Sequence, residues 1–165
     1  NDKLLNKTSL PEIKAVMGHE MGHYVLNHSL RLAVYFSLTI MFGFWFVHVV
    51  LDKVIARFGV KYGITERTDP AVLPIALTVF SFLMLLLTPV TNSIVRQAEK
   101  EADLYGLNSA REPHGFATAA MRLSTYRKIE PGYWEEVIFY DHPSGYDRVH
   151  SSMLWLQENQ DSMAK

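Results

Sequence analysis

Apolar and polar positions divide this chain into unequal zones. A run with helical character around Val16–Tyr24 leads through Arg31 into Leu32–Leu51, LAVYFSLTIMFGFWFVHVVL, which holds no acidic or basic residue other than His48. A second apolar run, Pro70–Val95, reads PAVLPIALTVFSFLMLLLTPVTNSIV and is bounded by Asp69 and Arg96. At ~1.5 Å per residue, about twenty residues cross a bilayer core of ~30 Å, so the pattern predicts transmembrane helices at 32–51 and 70–95. The greater length of the second allows tilt. Pro74 and Pro89 would break a helix in a soluble core but are tolerated in a membrane helix, where neighbours satisfy the freed carbonyls. The competing assignment, two buried helices of a soluble protein, fits poorly, because a domain of this size could hardly enclose two helices that are apolar on all sides.

Outside these runs the pattern is helical again. Ser9-Leu10-Pro11-Glu12 predicts a helix start, with Ser9 as cap, Pro11 in the first turn and Glu12 reaching back. No proline follows until Pro70, so one long helix is expected to run from there into the first apolar stretch. Asp52–Asp69, of mixed charge with Gly59 and Gly63, is expected to be a short amphipathic helix or loop outside the membrane. After Val95, helical spacing continues through Leu107, and Asn108–Pro113 forms a break. A helix over His114–Lys128 is predicted with Phe116, Ala120, Leu123 and Tyr126 on its apolar face. An aromatic, turn-rich loop follows over Pro131–Tyr146, and a closing helix over Asp147–Asn159. The fold class is therefore mainly α, with two candidate transmembrane helices.

Composition narrows the function classes. With 165 residues, 48% of them hydrophobic, the chain is expected to form one domain over 1–165. Sixteen basic against 17 acidic residues, a formal charge of −1, give no reason to invoke nucleic acid as a partner. Cysteine is absent, which leaves His and carboxylate as the strong metal ligands. The polar start carries no secretory signal, and so little chain precedes Ser9 that a piece lacking an N-terminal region is expected. No internal repeat is present.

The stretch Val16-Met17-Gly18-His19-Glu20-Met21-Gly22-His23-Tyr24 carries the chemistry. On a helix, positions i and i+4 share a face, so His19 and His23 can offer two imidazole nitrogens to one ion, with zinc the natural occupant. Glu20 lies about 100° round the helix, placed for the general-base role towards a water. Gly18 and Gly22 cost roughly 1 kcal/mol each as helix residues, and close approach of another backbone is their expected use. Two crossings separate His23 from Glu99, so both return to one membrane face. That makes Glu99 the candidate third ligand, with Asp103 one turn on as the acceptor that orients a ligand imidazole. The competing reading of Glu99, Glu101 and Asp103 is an exposed acidic face paired with Arg96 and Lys100. His142 and Arg148 lie in the polar region after the spans, where a donor aimed at a developing oxyanion is worth ~2.7–4 kcal/mol. His28 is expected to be structural, His48 to be a polar contact between helices, and His114 and His150 show no partner.

These separated motifs, Gly18-His19-Glu20-Met21-Gly22-His23, the two apolar spans, Asn92-x-x-x-Arg96-x-x-Glu99-x-x-Ala102-Asp103, and His142-Pro143 followed by Asp147-Arg148, resemble a known family. The chain is similar to the integral-membrane zinc metallopeptidases of the CAAX prenyl protease type and their bacterial quality-control relatives. The resemblance implies a helical zincin-like fold with one zinc ion on His19, His23 and Glu99. It implies Glu20 as catalytic base, and His142 and Arg148 as stabilisers of the tetrahedral oxyanion. The chain departs from the pattern at Val95, where the prenyl protease form often has Ser, and at Ser144, where it has Pro. The family's N-terminal spans and substrate-pairing strand have no counterpart here. The function expected is a zinc-dependent metalloendopeptidase acting at the membrane boundary on a peptide or protein, prenylated or membrane-associated. The alternative is a non-catalytic membrane-embedded zinc-binding scaffold or incomplete enzyme. An intramembrane-cleaving protease fits less well, because His-Glu-x-x-His precedes the apolar run instead of lying within it. Four basic residues between the spans (Lys53, Arg57, Lys61, Arg67) stand against seven outside them (Lys3, Lys7, Lys14, Arg31, Arg96, Lys100, Arg111), which favours a cytoplasmic catalytic side.

Overall fold

In the computed structural model, which describes residues 8–64, 66–124 and 128–163, every regular element among those residues is a helix. The first, α1 (Leu10–Val25), begins as its sequence dictates: the Ser9 N–H and Oγ–H both donate to Glu12 Oε2, at 2.6 and 2.7 Å, and Pro11 falls where a missing N–H costs nothing. It does not run on into the first apolar stretch. Leu26 N–H bonds to Gly22 O at 3.0 Å, and Asn27 takes a left-handed φ of 53° with its N–H on Tyr24 O. The expected single long helix is thus two helices, because Asn tolerates this backbone region better than most side chains.

The next helix, α2 (His28–Phe58), extends well past Leu51, so the segment after Asp52 continues the helix and ends in a 3-10 turn, Gly59–Tyr62. α3 (Val72–Ala110) joins the second apolar run and the charged stretch into 39 residues, with Pro74 in its first turn and Pro89 inside it. It stops three residues later than expected, before the left-handed Arg111 (φ 53°), so the break is only residues 111–112. α4 (Pro113–Leu123) buries Phe116 and Ala120, whereas Leu123 is half exposed; Tyr126 lies outside the described residues, as do Lys3 and Lys7. Pro131–Tyr146 is not all loop: α5 (Tyr133–Phe139) forms within it, started by Gly132, whose N–H is accepted by Glu135 Oε2 at 3.2 Å. α6 (Gly145–Glu158) starts where Ser144 Oγ accepts the Asp147 N–H at 3.0 Å, and a short α7 (Gln160–Met163) follows.

The helices form two compact units, Asn1–Ser29 with Pro89–Lys165, and Leu30–Thr88. In the first, α4 packs against both α1 and α6, and Ala15, Leu107, Phe116 and Trp155 form the core. Trp155 satisfies its indole N–H on Asn108 Oδ1 at 2.8 Å, as a buried indole must. In the second unit, Leu51, Ile55, Ile64 and Val72 pack together, and the Phe44 and Phe80 rings stack at 5.3 Å. Its helices are long and apolar enough to cross a membrane by length and composition. Only 17% of the most apolar window of the first and 6% of that of the second is buried, so neither is enclosed by the described residues.

Candidate metal centre

Three small residues let two helices meet closely enough to build a site. A Cβ at Gly18 would lie 3.1 Å from Gly106 O and Ala110 Cβ, one at Gly22 would lie 3.0 Å from Ala102 Cα, and one at Gly106 would lie 2.8 Å from His19 N. The close approach expected of Gly18 and Gly22 is therefore made by the end of α3. It brings residues 99–106 alongside residues 18–23.

Across this seam the donor atoms converge. His19 Nε2 and His23 Nε2 face each other at 3.0 Å, and the two oxygens of Glu99 stand 3.5 Å from the first and 3.4 Å from the second. For bonds of ~2.0–2.1 Å, donors on a tetrahedral zinc lie about 3.3 Å apart, which these separations match. Glu99 is only 8% exposed, and its Oε2 is buried without a hydrogen bond. A buried carboxylate oxygen without a hydrogen bond costs ~1–3 kcal/mol or more, a cost that a cation bound at this point would offset. His19, His23 and Glu99 are the residues here that could together hold a metal ion.

Hydrogen bonds around the donors place the protons elsewhere. His19 Nδ1 lies 2.7 Å from Asp103 Oδ1; a carboxylate can only accept, so Nδ1 donates, and the neutral ring in this tautomer presents a lone pair at Nε2. Asp103 is itself gripped by Arg148, with Nε to Oδ2 at 2.8 Å and a terminal N–H to Oδ1 at 2.6 Å. Burial is the largest influence on Asp103 and pushes its pKa up. The hydrogen bonds from His19 and Arg148, together with the guanidinium charge, outweigh it and hold the carboxyl below its ordinary range. Burial likewise pushes His23 down, against the pull of Glu99, which keeps it in the neutral form that can act as a ligand. The reading of Glu99 and Asp103 as an exposed acidic face does not hold, since both are buried.

The remaining predicted residues gather at the same place. Glu20 is exposed and lines a cleft of about 280 Å³ together with His19, His23, Glu99, His142 and Arg148, and α4 contributes an apolar wall that includes Phe116 and Leu123. His142 Nε2 stands 3.5 Å from Glu99 Oε2, and its Nδ1 lies 2.9 Å from Asp141 Oδ1. Arg148 comes within 3.8 Å of Glu99 Oε2, with its guanidinium over the Phe116 ring.

Two contributions escape sequence reasoning. His28, read as structural, lies with Nδ1 2.9 Å from His23 Nδ1 and Nε2 3.1 Å from Glu101 Oε2. Its spacing of five from His23 misses the face of a continuous helix, and only the break at Asn27 makes the contact. Asn92 and Arg96, present in the motif without a role of their own, hold the main chain of the His142 segment. Asn92 donates to Ile138 O at 2.7 Å, and Arg96 donates to Glu136 O at 3.0 Å and to Tyr140 O.

Known proteins give the family. The model of Peptidase family M48 matches residues 1–153. The chain is 30% identical over 150 residues to the "Uncharacterized metalloprotease YhfN" of Bacillus subtilis (strain 168), covering 90% of this chain and 35% of that protein. It is 28% identical over 167 residues to a "Protease HtpX homolog" of Streptococcus equi subsp. zooepidemicus (strain MGCS10565), covering 88% and 55%, and 27% identical over 128 residues to one of Streptococcus gordonii, covering 73% and 41%. The chain thus spans about a third to a half of the length of these relatives. A His-Glu-x-x-His helix, a facing glutamate and a match over nearly the whole sequence lead to one conclusion: the chain belongs to peptidase family M48.

Proposed function

We propose that the chain is the catalytic part of a membrane-bound zinc metalloendopeptidase that hydrolyses a peptide or protein substrate near the membrane boundary. The observation that carries this reading is the convergence of His19 Nε2, His23 Nε2 and the buried carboxylate of Glu99, one oxygen of which has no hydrogen bond. His19, His23 and Glu99 would hold a zinc ion, which when bound would supply Lewis acidity towards a carbonyl and an acidified water. Glu20, at the mouth of the cleft, takes a proton from the attacking water and returns it to the leaving amine. His142 and Arg148, on the cleft wall, donate hydrogen bonds to the oxygen on which negative charge develops. The apolar wall of α4 accepts a hydrophobic side chain of the substrate beside the scissile bond. Two apolar helices anchor the protein, and the excess of basic residues outside the segment between them favours a cytoplasmic catalytic side. Membrane-associated substrates, prenylated chains among them, fit that placement.

Zinc content and turnover, measured together, test the assignment. His19→Ala, His23→Ala or Glu99→Ala each removes one of three protein ligands and is expected to lower zinc content, whereas Glu20→Gln keeps the metal and loses turnover. Full zinc retention in Glu99→Ala, or zinc loss in Glu20→Gln, would overturn it. Zinc binding by the wild type without turnover would favour the scaffold reading, which the chain's partial coverage of its relatives keeps in view.

A further inference from the structure

We propose that His28 is a positioning residue for His23, relaying the carboxylate of Glu101 so that the His23 ring presents its Nε2 lone pair to the metal. This deepens the zinc reading of the site and rests on it. The argument is one of proton places. Glu101 Oε2 lies 3.1 Å from His28 Nε2, and because a carboxylate only accepts, the His28 proton is on Nε2 and its Nδ1 is bare. His23 Nδ1 lies 2.9 Å from that bare nitrogen, so His23 must donate from Nδ1. Its Nε2 then carries no proton, and this is the atom 3.0 Å from His19 Nε2 and 3.4 Å from Glu99 Oε1. The opposite arrangement, with His28 donating from Nδ1, would put the His23 proton on Nε2 and turn an N–H towards the ligand cluster.

Geometry explains why an intermediary is needed. Glu101 is two residues from Glu99, about 200° round the helix, so its side chain leaves the opposite side of α3 and a second imidazole bridges the gap to His23. Glu101 is held from its other oxygen by Gln97 Nε2 at 3.4 Å. His28 is 1% exposed, and a buried ring with two polar nitrogens is tolerated only when both are bonded, as they are. The two candidate ligands are thus served alike by α3: His19 directly through Asp103, and His23 through His28 and Glu101.

The test uses the full chain in detergent, with zinc titrated against a chelator and the visible absorption of the cobalt-loaded protein as a second readout. His28→Phe keeps the ring volume and removes the acceptor; it is expected to weaken zinc binding by ~10–100-fold and alter the cobalt spectrum. His28→Asn, whose Oδ1 stands where Nδ1 stood and can accept from His23, is expected to recover most of the affinity and the wild-type spectrum. Equal affinity in wild type and His28→Phe, or equal losses in the Phe and Asn variants, would overturn the proposal. If His28→Phe does not fold, Glu101→Leu carries the test, since loss of the outer acceptor must also lower affinity, and unchanged affinity there overturns the relay. A wild type that binds no zinc would bring down the zinc reading itself, and this inference with it.

Discussion

At the scale of single residues, the site depends on carboxylates that cannot donate. Asp103 receives the His19 N–H and two bonds from Arg148, so one side chain fixes both a ring and a guanidinium. Asp103→Asn keeps the size and one acceptor oxygen but leaves the partly buried Arg148 opposite a neutral group. It is expected to weaken zinc affinity or activity by ~10–100-fold without abolishing binding. Competition titration against a chelator checks this. A solvated surface charge in that position would have changed stability by no more than about 0.5 kcal/mol and left zinc affinity alone. That His19, Glu20, His23 and Asp103 belong to one site was legible in the sequence because all four obey helical spacing, which is local. The grip of Arg148 on Asp103 joins residues 45 apart, and no local pattern reports it.

At the scale of elements, what was legible and what was missed divide along the same line. Gly18 and Gly22 cost helix propensity, and that cost pointed correctly to a close partner. That Gly106 would complete the seam depends on the register of two distant helices. Gly106→Ala would place a Cβ 2.8 Å from His19 N, so the backbone of the ligand helix must shift. Denaturation midpoints should show a loss of ~1–3 kcal/mol, and zinc titration a weaker site. Gly132→Ala is the control, because nothing lies within 4 Å of its Cβ and the change should stay within about 0.5 kcal/mol. The break at Asn27 carried a signal, since Asn is second only to Gly in the left-handed region, but an uninterrupted apolar pattern outweighed it. α5 carried almost none: it is seven residues long, none of them fully buried, and it is held by Arg96 and Asn92 from a helix some forty residues upstream.

At the scale of the whole molecule, two long apolar helices bury little of their most apolar windows and are candidates to cross a membrane. If they cross a bilayer, the protein is expected to stay with membranes through a carbonate wash and to leave them only with detergent. Recovery in the soluble fraction as a monomer would refute the spans. The fastening of the His142 segment has a further consequence. Asn92 and Arg96 grasp carbonyl oxygens of Glu136, Ile138 and Tyr140, groups that every amino acid supplies in the same form. The clamp therefore reads the path of the chain and is indifferent to its side chains. Exposed aromatics such as Tyr133, Trp134 and Phe139 can be exchanged without loosening the loop that presents His142. Such a scaffold lets the outer surface beside the cleft be rewritten while His142 stays where it is.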